Sequence, residues 1–191
     1  DQPGSFGFLA VADATLPELT SGGETVNYTL VGDTLYGHTG DGLPLDVDGN
    51  PTTGLVFTLE ITDTETGAYT FTLLDQLDHV AGGAGATLTG AQNDDDQTLT
   101  LDFSGAIIAT DEDGDQVELT GGFDIVVEDD VPAEQGASET AYVDEDELLD
   151  GITDNDAVTT VATGSLGALV DFGADQPGSF GFLAVADATL P

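Results

Sequence analysis

The absence of positive charge constrains this chain more than any other feature of its sequence. The 191 residues include 38 Asp and Glu but no Lys or Arg, so the formal net charge is −38 at pH 7. Without internal cations to pair them, the carboxylates repel one another and raise the free energy of any compact state. We therefore expect the balancing charge to come from cations in solution.

The charge and composition also exclude several classes of partner and chemistry. Nucleic acids and anionic membranes attract proteins through Lys and Arg, and the sequence has no run of about 18 apolar residues for a membrane-spanning helix. We therefore expect no nucleic-acid binding and no direct membrane insertion. Cysteine is absent as well, so neither disulfides nor thiolate chemistry supports the fold or the function.

An internal repeat sets the domain organisation. The seventeen residues DQPGSFGFLAVADATLP occur at 1–17 and again, unchanged, at 175–191, which is a period of 174 residues. Solenoid repeats measure about 20–50 residues, so a period of this length predicts that each repeat is a domain of its own. The chain then contains one full period and an overlap.

Alternating apolar and polar residues predict an all-β fold. The clearest alternation, rich in Val, Ile, Thr, Tyr and Phe, lies at 25–31, 55–62, 69–73 and 99–103. Shorter candidate strands lie at 5–11, 34–38, 105–109, 116–119, 123–127, 141–143, 158–162 and 179–185, and helical possibilities lie only at 74–80 and 145–149. Many short strands separated by Gly and Asp turns favour an antiparallel, immunoglobulin-like β-sandwich repeated in tandem.

The clearest domain boundary lies at Pro132, because proline ends a strand and stiffens a linker. We predict that 1–131 are the later part of one repeat, 132–140 a linker and 141–191 the N-terminal part of the next repeat. Two hypotheses follow. Segment 133–191 of one molecule completes 1–131 of another in an open head-to-tail arrangement, or 1–131 is self-sufficient and the remainder is an appended subdomain.

The best candidate metal site is a D-x-D-G-D turn between two predicted strands. Asp111, Asp113 and Asp115 alternate along this turn, and Gly114 permits the bend. Ca²⁺ binds 6–8 oxygens at about 2.3–2.6 Å, so carboxylates on alternate residues suit it. The loop lacks the spacing of an EF-hand. The alternative is a solvated acidic hairpin turn, since Asp and Gly are ordinary turn residues.

A second candidate site straddles the predicted linker. Asp129 and Asp130 precede it, and Asp144 and Asp146 follow it. Two groups of like charge held near each other repel unless a divalent cation lies between them, and an ion here would stiffen the junction. The alternative is a plain polar linker.

Further acidic residues are weaker candidates. Asp75 and Asp78 either bind an ion or cap a turn. The alternation Asp46, Asp48, Asn50 suits either an ion site or a hairpin tip, and the runs 94–96 and 150–156 suit solvated loops.

Nothing in the sequence indicates catalysis, and we expect no enzyme. Paired carboxylates can hydrolyse glycosides, but no pair stands out among 38, and there is no Trp to stack against sugar. His38 and His79 have no motif that would supply a nucleophile.

A series of motifs along the period carries a family resemblance. They are GSLGALVDFGAD at 164–175, PGSF at 177–180, LTSGG at 19–23, YTFTLLD at 69–75 with LDH at 77–79, LDFSG at 101–105, ATDEDGD at 109–115 and GGFDIVVEDDVP at 121–132. In this order they resemble the long tandem repeats of RTX adhesins, which are giant bacterial surface proteins exported by type I secretion. The resemblance covers nearly the whole period, and 41–53 looks like a hairpin insertion.

The resemblance implies a role and a set of ligands. It implies a secreted extender module at the bacterial cell surface, anchored in the outer membrane through other regions, whose partners are neighbouring repeats of the same chain. Such repeats carry a distal adhesive domain for attachment and biofilm formation. Calcium would stiffen the domain through Asp111, Asp113 and Asp115. It would stiffen the junction through the acids around the linker, which are Asp129, Asp130, Asp144 and Asp146.

The sequence leaves a second function open. A calcium ion at a loop tip could bridge to a glycan or a surface, which would make the chain a calcium-dependent ligand-binding adhesion module. That function needs an exposed ion with open coordination and a neighbouring aromatic side chain.

Overall fold

Strands and turns make up the described parts of this chain, and the fold is all-β. The computed structural model describes residues 4–40, 53–79, 84–89, 97–152, 159–174 and 177–182. The chain divides into unit 1, Asp1–Asp130, and unit 2, Val131–Pro191. Within the described ranges no α-helix forms, so none is long and apolar enough to cross a membrane.

Thirteen strands and two short 3₁₀ turns lie in the described ranges. The strands are β1 (Ser5–Phe8), β2 (Thr20–Ser21), β3 (Glu24–Val31), β4 (Thr34–Thr39), β5 (Leu55–Asp63), β6 (Ala68–Leu73), β7 (Ala86–Thr89), β8 (Thr98–Asp102), β9 (Ile107–Thr110), β10 (Gln116–Glu118), β11 (Asp124–Glu128), β12 (Ala133–Glu134) and β13 (Val170–Asp171). The 3₁₀ turns are Ser104–Ala106 and Gly167–Leu169.

The described residues of unit 1 form three antiparallel sheets. Their strand orders are β2-β3-β4-β5-β6, β11-β8-β7 and β1-β9-β10. Strand β3 pairs with β4 as a hairpin, with Val31 opposite Thr34 across a two-residue turn. Gly32 begins that turn at φ +58°, a left-handed conformation that glycine adopts readily and two-residue hairpins require. The arrangement is consistent with a β-sandwich, and the immunoglobulin-like strand order stays a prediction.

The core of unit 1 centres on the ring of Phe57. This ring stacks on Phe71 with centroids 5.1 Å apart, and Phe103 meets it edge-on at 5.7 Å. Gly37 lies opposite Phe57 on the neighbouring strand, and a Cβ at position 37 would overlap the ring. Glycine is therefore required there by close approach. The core also contains Leu19, Val26, Leu35, Val56, Leu59, Leu77, Leu99, Leu101 and Val127.

Unit 2 contains one short sheet in its described part. Strand β12 pairs with β13, with Ala133 opposite Asp171 and Glu134 opposite Val170. No described residue of this unit is buried. Because β12 lies inside the predicted linker 132–140, the start of that segment belongs to the sheet of unit 2 and is not a free connection. The other domain limits stay predictions.

Most of the predicted strands of unit 1 are confirmed, and several other predictions are wrong. No strand forms at 141–143 or at 159–162, the described part of 158–162, and no helix forms at 145–149 or in the described residues 74–79. Four strands were not predicted: β2, β7, β12 and β13. The candidate ligands at 46–50, the run 94–96 and most of the run 150–156 lie outside the described residues.

Candidate metal centre

The five-residue turn between β9 and β10 holds the first candidate site, and Asp111 closes it. The Asp111 N–H donates to the backbone oxygen of Asp115 at 3.0 Å, and the Asp115 N–H donates to Asp111 Oδ1 at 2.8 Å. The Gly114 N–H donates to the Asp111 carbonyl at 3.2 Å, and Gly114 itself has φ +94°. A backbone conformation that favours glycine, together with an Asp that bonds to its own turn, is what the D-x-D-G-D pattern indicates.

This turn brings three carboxylates together. One oxygen from each of Asp111, Asp113 and Asp115 lies within 4.8 Å of the other two, and all three side chains are exposed. Oxygens bound to one Ca²⁺ at about 2.3–2.6 Å lie at most about 5 Å apart, so the spacing suits a single ion. The three carboxylates lie together in this turn, and their role as calcium ligands stays a prediction.

The charge state of the turn favours a cation. Hydrogen bonding with the Asp113 carboxyl, and with N–H groups of residues 113–115, holds the pKa of Asp111 below its ordinary value. Asp111 therefore stays ionised at neutral pH, and no Lys or Arg exists to balance it. A cation from solution is the remaining counter-charge.

A groove of about 400 Å³ lies beside the turn, and sequence reasoning missed two of its residues. Phe6 from β1 and Glu65 from the β5–β6 turn line the groove together with Asp111 and Asp115. Pairing of β1 with β9, in which Ser5 lies opposite Thr110, brings Phe6 to this place. The β5–β6 turn reaches the same place because the Phe6 N–H donates to the Thr64 carbonyl at 2.7 Å. No local sequence pattern connects residues 6 and 65 with residue 111.

Asp129, in the second candidate cluster, is held by a histidine of unit 1. Its Oδ1 lies 3.2 Å from His79 Nδ1 and also accepts the Asp130 N–H at 3.1 Å. The His79 ring further lies 3.0 Å from the Leu77 carbonyl, through Nδ1, and 3.3 Å from the Val127 carbonyl, through Nε2. His79 was assigned no role from the sequence, but it connects the 75–79 segment to the end of β11.

Asp144 and Asp146, the other two members of the predicted junction site after Asp129 and Asp130, lie in unit 2. Asp144 Oδ1 accepts the Asp146 N–H at 2.9 Å, and the Asp144 N–H donates to the Thr159 carbonyl at 3.0 Å. Asp144 therefore organises a local turn. A calcium ion shared between Asp129, Asp130, Asp144 and Asp146 stays a prediction.

Asp78 and its neighbour Asp75 occupy different environments. The two carboxylate oxygens of Asp78 accept the N–H groups of Gly22 and Gly23, each at 2.9 Å. Both glycines have positive φ and form the two-residue turn between β2 and β3, as Gly-Gly pairs do in type I′ hairpins. Asp78 thus caps a turn, whereas Asp75 Oδ1 accepts the N–H of its neighbour Gln76.

His38 is a buried packing residue of β4. Its Nε2 lies 2.9 Å from Thr29 Oγ1 on β3, and 5% of the residue is exposed. Burial lowers the pKa of His38. The folded state therefore prefers the neutral ring.

This preference predicts a pH dependence of stability. The pKa of His38 is lower in the folded chain than its ordinary value of about 6.5. The stabilising contribution of the neutral ring is therefore fully present above about pH 6.5. The contribution falls as pH drops below it, since the unfolded chain then binds the proton more readily. We expect the free-energy difference between the native chain and a His38→Gln variant to shrink between about pH 7.5 and pH 5. Urea unfolding at each pH measures it, and a constant difference would contradict the assignment.

Comparison of this chain with protein-family models, with characterised proteins and with solved structures gives no match.

Proposed function

We propose that this chain is a calcium-stabilised extender module of a bacterial cell-surface adhesin. In this role, tandem β-domains project a distal ligand-binding domain for surface attachment and biofilm formation, and the module itself performs no catalytic step. The observation that carries the proposal is the carboxylate triad Asp111, Asp113 and Asp115, which converges in one turn of a repeated chain without any Lys or Arg.

Charge repulsion links the folding of such a module to calcium. In a compartment with little free Ca²⁺ the carboxylates oppose compaction and keep the chain ready for export. Outside the cell an ion that binds only the folded state stabilises it by mass action. Extracellular calcium modules work with dissociation constants of about 10⁻⁴–10⁻³ M, which requires no deep, closed site. An exposed turn with three carboxylates meets that requirement.

Calcium is therefore expected to raise the stability of unit 1. At a calcium concentration about tenfold above the dissociation constant, the gain is about 1.4 kcal/mol for one site. For a chain of this size such a gain raises Tm by roughly 3–5 °C. The measurement is a pair of thermal melts, one in millimolar CaCl₂ and one in chelator, at equal ionic strength so that general screening of the carboxylates is the same.

Matched variants in the same turn assign that gain to the triad. Asp113→Asn and Asp115→Asn together remove two charged ligands, so the calcium-dependent rise in Tm should disappear. Glu112→Gln removes one charge from the same turn but no member of the triad, so the rise should remain. An equal Tm of the native chain in calcium and in chelator would overturn the calcium proposal. If the calcium-dependent rise in Tm were lost in Glu112→Gln but kept in the Asp113→Asn, Asp115→Asn variant, the ion site would lie outside the triad.

A second candidate function rests on the groove beside the triad. Phe6 lines this groove together with Asp111 and Asp115, so an aromatic ring lies near the candidate ion site. A glycan bridged by the ion and packed against Phe6 would make the chain a calcium-dependent ligand-binding module. Titration calorimetry with simple sugars in calcium and in chelator separates the two functions, because an extender alone binds no sugar in either buffer.

A further inference from the structure

Strand β1 is a short strand at the edge of its sheet. It pairs with β9, with Ser5 opposite Thr110, and lies at one end of the order β1-β9-β10. The Phe6 N–H also donates to the Thr64 carbonyl at 2.7 Å, and Phe8 packs against the core. We call the strip formed by Thr64 and residues 106–110 the β1 site. An edge strand of four residues opens locally at a lower free-energy cost than the core strands do.

The side chains of β1 do not fill the space beside them. An apolar cavity of about 180 Å³ lies next to the strand, and its lining includes Phe6, Phe8, Tyr69 and Phe123. Gly67 makes room for the Phe6 ring, because a Cβ at position 67 would lie 2.9 Å from the ring atom Cδ2. Atoms that line a cavity lose contacts on one side, so the resident strand is held less tightly than a fully packed one.

The chain carries a second segment with the sequence of this strand. Residues 179–182 repeat Ser-Phe-Gly-Phe within the second copy of the doubled segment. They form no strand in unit 2, and Phe180 and Phe182 are 50% and 107% exposed. Identical residues make the same contacts with β9 and bring no new charge to it. The β1 site therefore distinguishes the two copies only by how each is tethered.

The tether of the second copy is short. Asp171 lies opposite Ala133 in the β12–β13 sheet, and Ala133 follows the end of unit 1 at Asp130 closely. Fully extended, residues 130–133 and 171–179 together reach about 35 Å, whereas a domain of the size of unit 1 has a radius of gyration of about 14 Å. A segment on such a tether has an effective concentration in the millimolar range, so the same chain is the favoured source.

We propose that Ser179–Phe182 exchanges with Ser5–Phe8 at the β1 site of the same chain. The incoming strand pairs with β9 in the same register, with Ser179 opposite Thr110. The resident strand continues directly into Leu9, whose N–H donates to the Ala106 carbonyl at 2.9 Å, so the exchanged form is the minor one. Exchange of identical elements between neighbouring repeats is characteristic of repeat proteins. It does not depend on calcium at the acidic turn.

Cysteine trapping in the full chain tests the exchange, because the chain has no cysteine of its own. Thr110→Cys with Ser179→Cys forms a disulfide in the exchanged form, since paired residues lie about 5.5 Å apart, within the range for a disulfide. Thr110→Cys with Ser5→Cys reports the resident form. Thr110→Cys with Ser165→Cys, at an exposed position of unit 2 outside the doubled segment, measures random encounter.

The readout is the rate of cross-linking by oxidised glutathione in dilute protein, followed by non-reducing electrophoresis. We expect the Ser179 pair to form a disulfide within one chain about tenfold faster than the Ser165 pair. Equal rates for these two pairs would overturn the proposal. Cross-linked dimers in place of cross-linked monomers would overturn the assignment to the same chain.

Changes of the Phe residues in each copy separate exchange from chance proximity. Phe8→Ala weakens the resident strand, so trapping of the Ser179 pair should become about tenfold faster. Phe180→Ala with Phe182→Ala removes both rings from the second copy at exposed positions, where the fold of unit 1 is not disturbed. Trapping should then fall to the rate of the Ser165 pair. An unchanged rate in this last variant would contradict the exchange, even if Phe8→Ala failed to fold.

Discussion

Replacing Phe57 by alanine is expected to lower the free energy of unfolding of unit 1 by about 3–5 kcal/mol. The side chain is fully buried, and its ring contacts those of Phe71 and Phe103. Removing it loses the transfer free energy of the ring and leaves a cavity that the strands cannot fill. Urea unfolding followed by circular dichroism measures the change, because every buried residue in the described part of the chain lies in unit 1.

Phe182→Ala is the matched control for this experiment. It removes the same atoms from a side chain that is fully exposed, so we expect a change of no more than about 0.5 kcal/mol. If the two variants were equally stable, the aromatic cluster around Phe57 would not be the core of unit 1. The comparison thus separates a packing effect from any general effect of losing an aromatic residue.

Asp78→Ala is expected to destabilise unit 1 by about 2–3 kcal/mol. Hydrogen bonds to charged groups contribute about 1.5–3 kcal/mol each when shielded from water, and partial exposure reduces the sum of the two bonds to Gly22 and Gly23. Asp75→Ala removes a carboxylate three residues earlier whose Oδ1, among the described residues, accepts one N–H from its neighbour Gln76, so its effect should stay below about 0.5 kcal/mol.

The same two variants test whether either residue binds calcium. If Asp78 caps the β2–β3 turn and does no more, the rise in Tm with calcium should be the same in Asp78→Ala as in the native chain. Loss of that rise in Asp78→Ala would instead assign it to a metal site, and loss in Asp75→Ala would do so for Asp75. Thermal melts in calcium and in chelator distinguish these results.

The acidic turn shows what local sequence can predict about a site. The alternation of Asp111, Asp113 and Asp115 around Gly114 contains the whole of its geometry, because the turn is closed by bonds among its own residues. Phe6 and Glu65, which line the groove beside it, are distant in sequence and have no local signal. The cap made by Asp78 was one of two alternatives, since choosing between them requires the position of Gly22 and Gly23.

The strands show the same contrast between what local sequence predicts and what depends on distant parts of the chain. Segments 25–31 and 55–62 alternate over seven or more residues, and both form strands, β3 and β5. The short segment 141–143 also has apolar residues but forms no strand, whereas β7, Ala86–Thr89, forms along β8 despite a weak pattern. A short strand depends on its partner for hydrogen bonds, so its own residues do not decide its conformation.

The doubled segment is the clearest instance of this dependence. Composition and alternation alone were sufficient to predict an all-β chain without basic or thiol chemistry, because residue content and alternation are read directly from the sequence. Composition and alternation do not decide the conformation of the four residues Ser-Phe-Gly-Phe. These residues form β1 at 5–8 but no strand at 179–182. In unit 1 these residues pair with β9, and Phe8 packs on the core. The described part of unit 2 contains no such strand and no buried core, so the same residues lack the hydrogen-bond partners and the apolar surface that hold a strand in place.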